Sequence, residues 1–415
     1  MIERVAATYI LDTADDPRRA AEIIAGEQSS GTFVALAKET AGLKEKAGAQ
    51  VESLEVIGEG QASGGLPGAK TGAVLNRCRL TLSWPLTNMG PSLPNLVATV
   101  AGNLYELHCV SGLRLIGLDL PPAFAARYPG PRHGIAGTRR LAGVGSGPLI
   151  GTIVKPSVGL SPDETAHEVA QLIAGGIDFV KDDELQADGP HCPFEKRVHA
   201  VMRVVEEAAQ RTGKKAMIAF NLTGDLDDMR RRYDLVVGAG GTCVMASMHA
   251  VGFVGMLELA RHGNLPIHAH RNGWGYLSRH PALGFDYGPW QKLWRLAGAD
   301  HLHVNGIANK FCESDESVVT SARAVLAPMF PDAPMAAMPV FSSGQTVRQA
   351  APTYEAIGTT DLIFAAGGGI FGHPDGVRAG VAALRKAWDA AVAGVPLDEV
   401  ARHDADVAAA MRIGQ

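Results

Sequence analysis

Short apolar runs alternate with longer amphipathic segments over the last two thirds of the chain. In chain order the eight runs are PLIGTIVKP, IDFVKDD, KAMIAFNLT, GTCVMAS, LPIHAHR, DHLHVNG, MPVFSSG and DLIFAAGGG. Continuous apolar runs are typical of buried parallel strands, and the spacing within PDETAHEVAQLIAGG indicates a surface helix. The pattern predicts a (β/α)8 TIM barrel over residues 126–415, with a C-terminal helical extension. A doubly wound sheet is the alternative, but eight evenly spaced units favour closure.

Residues 1–125 follow a different pattern. RVAATYIL and RCRLTLSWPL alternate like half-buried strands, and GLRLIGLDLP reads as a further strand. DDPRRAAEIIAGEQ and NLVATVAGNLYEL have helical spacing. We therefore predict a separate α+β domain of ferredoxin-like type. The segment GEGQASGGLPGAKTG lacks the strand and helix that flank a phosphate loop, so we interpret it as a flexible turn.

Composition narrows the possible classes of protein. A chain of 415 residues is too long for one compact core of ordinary size. Its 46% hydrophobic content and net charge of -5 are typical of a globular protein and argue against nucleic-acid binding. Five scattered cysteines without CxxC spacing predict reduced thiols in the cytoplasm. A signal core and an 18-residue apolar run are both missing from the sequence, so we expect no membrane contact.

The ends of the predicted strands carry the candidate chemistry. In a TIM barrel, functional groups lie where strands end and βα loops begin. These positions are Lys155, Lys181–Glu184, Asn221, Met248–His249, His270–Arg271, His303, Ser343–Gly344 and Gly367–Gly369. A solvated strand end is the ordinary explanation for one charged run, but ionisable groups around a whole rim indicate an active site.

The sequence KDDE at residues 181–184 is a candidate metal site. Asp183 and Glu184 supply carboxylate oxygens, which Mg²⁺ prefers. An ammonium at Lys181 would repel the cation, whereas a neutral amine that captures CO₂ becomes a carbamate and a third anionic ligand. The alternative is that Lys181 only neutralises its neighbours.

Two further groups are candidates for substrate binding. Arg271 suits forked binding of a phosphate or carboxylate. His270 and His303 can move a proton or hydrogen-bond a hydroxyl, with a purely structural role as the alternative. Backbone N–H groups of AAGGGIFGHP can hold a phosphate, with FSSGQT as the partner loop.

With these motifs together, the chain resembles the RuBisCO large-subunit family, and RuBisCO-like proteins (form IV) in particular. The resemblance covers most of the chain and rests on GTIVKPSVGLSPDE, GGIDFVKDDE, HAHRNGWG, ADHLHVNG, NGIANK and FSSGQT. It implies catalytic roles for Lys155, Lys181, His270, His303 and Lys310. It also implies Mg²⁺ held by Asp183, Glu184 and a CO₂-derived carbamate on Lys181.

The resemblance further implies contacts with a phosphorylated small-molecule substrate. The implied residues are Glu27, Thr32, Asn103, Arg271, Ser343, Gly344, Gly367, Gly368 and Gly369. In the family the N-terminal residues reach the active site of the partner subunit. The resemblance therefore implies a homodimer or a higher assembly.

Four positions depart from the family pattern. Ser157 replaces a second lysine, Trp274 a histidine, Phe33 a tryptophan and Gln345 a glycine. Loss of the lysine disturbs the charge state of Lys155, and Gln345 changes a phosphate pocket. Trp274 and Phe33 are either packing residues or substrate contacts. The departures indicate a RuBisCO-like protein rather than a bisphosphate carboxylase.

The resemblance implies a Mg²⁺-dependent lyase or isomerase that enolises a phosphorylated keto-sugar or 3-oxo sugar acid. Decarboxylation or C–C hydrolysis would follow, on a substrate of the 3-oxo-isoapionate 4-phosphate type. The alternatives are a methylthio-sugar-phosphate enolase or isomerase of methionine salvage, a genuine ribulose-bisphosphate carboxylase, and a degenerate barrel with a binding or regulatory role. The general base stays open between Lys155, the carbamate and the histidines.

Overall fold

The computed structural model describes residues 3–31, 36–60, 65–72 and 74–414. Two compact units divide the chain. The first contains Met1–Pro129 and Gly273–Leu296, and the second contains Gly130–Asn272 and Ala297–Gln415. Thr32 and Phe33 lie outside the described residues.

Strands and helices are numbered in chain order over the described residues. The strands are β1 Arg4–Thr13, β2 Gln50–Gly60, β3 Leu75–Pro85, β4 Gly112–Asp119, β5 Leu149–Ile153, β6 Phe179–Lys181, β7 Met217–Asn221, β8 Cys243–Ser247, β9 Ile267–His270, β10 Leu283–Phe285, β11 His301–Asn305, β12 Met338–Phe341 and β13 Ile363–Ala365. The helices are α1 Pro17–Glu27, α2 Ala41–Ala47, α3 Leu93–Val100, α4 Ala123–Arg127, α5 Gly134–Ala142, α6 Pro162–Ala174, α7 Phe194–Thr212, α8 Leu226–Gly238, α9 Met248–His262, α10 Trp274–Ser278, α11 Tyr287–Leu296, α12 Asp315–Leu326, α13 Ala350–Ile357, α14 Gly367–Phe371, α15 Val377–Ala393, α16 Leu397–His403 and α17 Ala405–Ala410. Short 3₁₀ turns occur at Leu86–Asn88, Asn103–Glu106 and Val347–Gln349.

The first unit is built on a five-stranded mixed sheet in the order β10-β4-β1-β3-β2. Alternate residues of β1, from Val5 to Leu11, are fully buried, which matches the period of two predicted for this strand. β10 pairs in parallel with β4, so the segment 273–296 adds a strand and two helices to this unit. The α+β character predicted for the N-terminal region is confirmed.

Two sequence predictions for the first unit were wrong in detail. The helix predicted over NLVATVAGNLYEL ends at Val100, and a 3₁₀ turn follows at Asn103–Glu106. At Gly102 a Cβ would lie 2.2 Å from the Ala98 carbonyl oxygen, so the chain bends where only glycine fits. The first three residues of the predicted flexible turn, Gly58 to Gly60, belong to β2 instead.

The second unit is a closed parallel barrel in the order β11-β12-β13-β5-β6-β7-β8-β9. All eight predicted apolar runs form its strands, so the TIM-barrel prediction is confirmed. α16 and α17 extend the chain beyond α15. Leu149, Phe179, Met217, Met245 and Ile363 are among the apolar residues that fill the centre. Each contributes about 1.5–3 kcal/mol to stability through burial.

Buried carboxylates also lie at the amino-terminal rim of the barrel, where its strands begin. Asp178 accepts hydrogen bonds from the backbone N–H of Ile150 at 2.8 Å and from Arg385 at 2.6 Å, and it pairs with Lys214. Asp300 accepts from three backbone N–H groups, those of residues 133, 134 and 267, at 2.7–2.9 Å. Burial raises the pKa of Asp300, while these N–H groups oppose the shift. Both carboxylates tie neighbouring strands together.

Within the described ranges, the helices lack the combination of length and apolar character that crossing a bilayer requires. The five cysteines are free thiols, and Cys312 alone among them is exposed.

Candidate active site

Lys181 is a buried lysine at the end of β6 whose surroundings favour a neutral amine. Its side chain is 1% exposed. Nζ donates to the Asp182 carbonyl at 2.8 Å and lies 3.7 Å from Glu184 Oε2. Burial lowers the pKa of Lys181, although the charges of Glu184 and Asp183 oppose the shift. A neutral amine is nucleophilic, so this lysine is suited to carbamate formation.

The two aspartates after Lys181 have different partners. Asp182 accepts from Arg197 Nη2 at 3.1 Å and from the Asn221 backbone N–H at 2.9 Å, and Arg197 is completely buried. Asp183 instead accepts from Lys155 Nζ at 2.7 Å. Burial raises the pKa of the Asp183 carboxyl, but hydrogen bonds from Lys155 and the Leu185 N–H, together with the charges of Lys181 and Lys155, outweigh burial and the pKa is lowered. Asp182 is thus a structural residue and Asp183 faces the candidate site.

Lys155 follows β5 and connects the candidate metal ligands to the more exposed part of the site. Its side chain is 37% exposed, and Nζ also donates to Ser157 Oγ at 2.7 Å. At the position where the family pattern has a second lysine, Ser157 therefore supplies a neutral acceptor. The substitution is visible in the sequence, but the hydrogen bond is not.

The two predicted histidines lie against each other, with ring centroids 4.5 Å apart. His270 Nε2 is 3.5 Å from Glu184 Oε2, and Nδ1 is 3.1 Å from Asn272 Oδ1. Burial, and next the charge of Lys181, lower the pKa of His270 to about 3. His303 contacts His268 through Nε2 at 2.7 Å and Ser342 through Nδ1 at 3.0 Å. His270 faces the carboxylates, whereas both nitrogens of His303 contact other protein groups.

Arg271 is 5% exposed and forms an ion pair with Glu313. Glu313 belongs to the segment 306–314 between β11 and α12, which we call loop six. Its carboxylate also accepts from Asn305 Nδ2 at 2.6 Å and from Ser317 Oγ at 2.8 Å. Glu313 was not predicted from the sequence, because ESDES is also typical of a helix start, and Ser314 is indeed the N-cap of α12.

Loop six contacts the segment 342–346 that follows β12. The Lys310 backbone N–H donates to the Ser343 carbonyl at 3.1 Å, and Ser343 Oγ donates to Asn305 Oδ1 at 2.9 Å. The side-chain amine of Lys310 lies over the Phe311 ring, 5.2 Å from its centroid. Gly344 has φ 88°, a left-handed conformation that glycine adopts without strain. The structure thus brings Lys310, Ser343 and Gly344 together.

Gln345 fills the space between loop six and the glycine run. It is 1% exposed, and its Nε2 donates to the Ile307 carbonyl at 3.1 Å. A Cβ at Gly306 would lie 2.2 Å from Gln345 Cδ, and one at Gly369 would lie 2.5 Å from the Gln345 carbonyl oxygen. A Cβ at Gly367 would be 3.7 Å from Lys155 Cε, whereas one at Gly368 would meet nothing within 4 Å. Gly367 therefore lies against Lys155, and Gly368 has open space beside its Cα.

Glu27 and Asn103 lie in the first unit, at the end of α1 and the start of a 3₁₀ turn. Gln28 links them. In the amide orientation that satisfies both of its polar atoms, Gln28 accepts from the Asn103 backbone N–H at 3.0 Å. Trp274 also belongs to this unit, where its ring packs edge-to-face against Tyr287.

Another group of potential ligands consists of His373, Asp375 and Asp406, whose ligand atoms lie within 4.8 Å of one another. His373 Nδ1 accepts from the Asp375 backbone N–H at 3.1 Å, so Nε2 carries the proton and donates to the Asp406 carbonyl at 2.9 Å. No ring lone pair remains for a metal, and the group is structural.

Models of two protein families match the chain. The model for the N-terminal domain of the ribulose bisphosphate carboxylase large chain matches residues 4–124, and the model for its catalytic domain matches residues 134–413. The chain belongs to the RuBisCO large-chain family. Solved RuBisCO structures to which this family member is similar include dimeric and octameric enzymes.

Individual relatives place the chain among RuBisCO-like proteins. It is 63% identical to a 3-oxo-isoapionate-4-phosphate transcarboxylase/hydrolase from Xanthobacter autotrophicus, over 97% of both chains. It is 42% identical to a 3-oxo-isoapionate-4-phosphate decarboxylase from Rhizobium etli, over 98% of both chains. A crystal structure of a rubisco-like protein from Burkholderia fungorum is similar with TM-score 0.92 and 46% identity, covering 98% of this chain and 99% of that one.

Proposed function

We propose that this protein is a Mg²⁺-dependent enzyme that enolises a phosphorylated 3-oxo sugar acid of the 3-oxo-isoapionate 4-phosphate type and then cleaves a C–C bond. The observation that carries the proposal is the buried Lys181 amine 3.7 Å from Glu184 Oε2, with Lys155 bonded to the neighbouring Asp183. Nothing in the packing of the barrel requires this arrangement, whereas a metal-assisted enolisation does.

The donor set fits a magnesium ion. Asp183 and Glu184 are hard oxygen ligands, and a carbamate on Lys181 would be the third. The lowered pKa of Lys181, caused by burial, supports carbamate formation. A bound Mg²⁺ would supply Lewis-acid polarisation of the substrate carbonyl.

The side chains of the chain itself account for proton transfer and substrate binding. Lys155 is half-exposed and held by Asp183 and Ser157, so its Nζ is positioned to move the proton at the enolised carbon. Lys310 and Arg271 are cations suited to the substrate's carboxylate and phosphate. The backbone N–H groups of Gly367–Gly369 are further phosphate donors. The carbamate and His270 are the alternative bases.

The relatives favour one fate of the enediolate. The chain is 63% identical to the transcarboxylase/hydrolase and 42% identical to the decarboxylase. We therefore propose carboxyl transfer and hydrolysis rather than simple decarboxylation. Ser157 and the buried Gln345 argue against ribulose bisphosphate carboxylation, because they replace a cation and a glycine of the carboxylase pattern.

The proposed assembly is a homodimer or larger, in the cytoplasm. We propose that Glu27, Asn103 and Thr32 reach the partner's active site, as the resemblance to the family implies; Gln28, adjacent to Glu27, accepts from the Asn103 backbone N–H. The dimeric and octameric relatives support the assembly, and the five free cysteines support a reducing compartment.

Proton NMR in D₂O tests the proposed function. The protein, with Mg²⁺ and bicarbonate, is incubated with 3-oxo-isoapionate 4-phosphate, ribulose bisphosphate and a methylthio-ketose phosphate in separate samples. We expect metal-dependent exchange and C–C cleavage with the first compound only, loss of both in Lys181→Ala, and retention in Lys196→Ala, which changes an exposed lysine of α7. Turnover of another compound, or activity in Lys181→Ala, would refute the assignment.

A further inference from the structure

Four histidines form a continuous file inside the barrel. Their order is His270, His303, His268 and His301, with successive ring centroids 4.5, 4.8 and 5.6 Å apart. The first two belong to the proposed site. His268 and His301 are completely buried, and the proposed reaction gives them no role. His268 hydrogen-bonds His303 through both Nε2 atoms at 2.7 Å, so it determines what His303 can do.

Only one of the two Nε2 atoms can donate in this bond. Burial lowers the pKa of both His268 and His303 well below the ordinary histidine value, so each ring carries a single proton. The tautomer of His303 is therefore fixed by the direction of the bond, and the rest of the network determines that direction.

The direction follows first from the loop-six end of the network. The Glu313 carboxylate accepts only, so the Asn305 amide nitrogen must be the group that faces it at 2.6 Å. Asn305 Oδ1 consequently accepts the Ser343 hydroxyl proton at 2.9 Å. Because a hydroxyl has one proton, Ser343 Oγ can only accept in its contact with Ser342 Oγ, which at 3.4 Å is the longest in the network.

Ser342 determines the direction of the hydrogen bonds at His303 and His268. Ser342 has given its proton towards Ser343, so its oxygen accepts from His303 Nδ1 at 3.0 Å. His303 Nε2 is then a bare acceptor, and His268 Nε2–H is the donor.

The opposite end of the network gives the same direction independently. His268 Nδ1 is buried and has no hydrogen-bond partner among the described residues. If the bond ran the other way, His268 would carry its proton on Nδ1, which would leave a buried N–H unpaired. An orphaned buried donor is rarer than an unsatisfied acceptor, so the Nε2–H tautomer of His268 is favoured.

We propose that His268 is a positioning residue that holds His303 in the Nδ1–H tautomer and, through Ser342, Ser343 and Asn305, orients Glu313 and loop six. Both nitrogens of His303 are committed in this chain of hydrogen bonds. His303 therefore fixes geometry and leaves proton transfer to Lys155, the carbamate or His270. The expected effect on turnover rests on the proposed function, whereas the tautomer assignment does not.

Neutron diffraction from crystals of the full chain grown in D₂O tests the assignment without substrate. We expect deuterium on His268 Nε2 and His303 Nδ1, and none on His303 Nε2. Deuterium on His303 Nε2 would overturn the proposal, whether or not the protein turns over any substrate.

Steady-state kinetics test the positioning role. His268→Leu removes the donor, and we expect kcat to fall about tenfold with KM changed less than about twofold. His268→Gln places an amide N–H near the position of Nε2–H and should restore kcat to within about threefold of wild type. His301→Gln, one step further along the file, is the matched control and should keep wild-type kcat. Equal losses in His268→Leu and His268→Gln would mean that ring packing, not the donor, matters.

Discussion

The two rims of the barrel both carry buried carboxylates, but the partners of those carboxylates differ. At the amino-terminal rim, Asp178 accepts from the Ile150 N–H and pairs with Arg385 and Lys214, and Asp300 accepts from three backbone N–H groups. At the opposite rim, Asp183 faces the half-exposed Lys155, and Glu184 faces the buried Lys181. Charge at a strand end therefore does not identify a site. Carboxylates that accept from backbone N–H groups at the strand starts stabilise the barrel, and those beside the buried Lys181, whose pKa is lowered, are available for chemistry.

The same contrast occurs between adjacent residues. Asp182 forms a closed ion pair with the fully buried Arg197, while Asp183 bonds Lys155 in the site. Two adjacent residues just after β6 are thus a structural carboxylate and a proposed metal ligand.

The largest effect that distinguishes the rims is expected for Asp183→Asn. Loss of a negative ligand should reduce kcat by about 10³-fold, equivalent to about 4 kcal/mol of transition-state stabilisation. The free energy of unfolding should change by less than about 1 kcal/mol, since Lys155 is half-exposed and becomes hydrated. Turnover and urea unfolding measure the two quantities. Equal losses of stability and activity would show that this rim, too, is structural.

The reverse behaviour is expected for Asp178→Ala at the amino-terminal rim. The buried Ile150 N–H loses its acceptor, and two cations lose their partner, so the free energy of unfolding should fall by about 3 kcal/mol. Both cations are about one-third exposed, which limits the loss. Activity per folded molecule should stay at the wild-type value. A loss of kcat with an unchanged free energy of unfolding would show that Asp178 is not a purely structural carboxylate.

A smaller, pH-dependent effect is expected from His301, which begins β11 near the amino-terminal rim. Burial, and next His133, lower its pKa from 6.5 to about 3. The unfolded chain therefore binds the proton first, and the stability contributed by neutral His301 is present above pH 6.5 and is lost as the pH falls towards 3. Between pH 7.5 and 5, wild type should lose about 2 kcal/mol more than His301→Gln. Chemical unfolding at each pH measures the free energy of unfolding of both proteins. Equal losses in wild type and His301→Gln would contradict the prediction.

The smallest effect is expected for Ser157→Ala at the carboxyl-terminal rim. Lys155 keeps its bond to Asp183 and loses one neutral acceptor at 2.7 Å. A single such bond is worth about 1 kcal/mol, so kcat/KM should fall about fivefold with unchanged stability. Ser343→Ala, by comparison, interrupts the bond to Asn305 and should affect activity through loop six. A loss greater than about 100-fold for Ser157→Ala would mean that the serine has a direct role.

The barrel was predictable because each of its strands is a buried apolar run with its own turn signals. β2 was not predicted, since QVESLEVIGEG exposes most of its side chains and has little apolar alternation. The membership of Gly273–Leu296 in the first unit was equally unpredictable, because β10 has three residues and pairs with a strand far away in sequence.

For the candidate site, the sequence pointed to individual lysines, carboxylates and histidines but not to the side chains that they contact. Lys155 contacts Asp183 and Lys181 contacts Glu184, and a metal site at these residues stays a prediction. The Arg197 partner of Asp182, the Glu313 partner of Arg271 and the Ser342 contact of His303 depend on side-chain directions across different loops. Local periodicity carries no information about such contacts.

The interlocked Gly306 and Gln345 also constrain how this lineage can change. A side chain at 306 would overlap the Gln345 amide, which lies 2.2 Å from the position of its Cβ. A larger residue at 306 must displace the Gln345 amide from its bond to the Ile307 carbonyl, unless 345 is already smaller, and overpacking of this kind costs about 1–3 kcal/mol. The two positions are therefore epistatic: the order of substitution matters, and the ancestral state of one residue decides which mutations of the other are accessible.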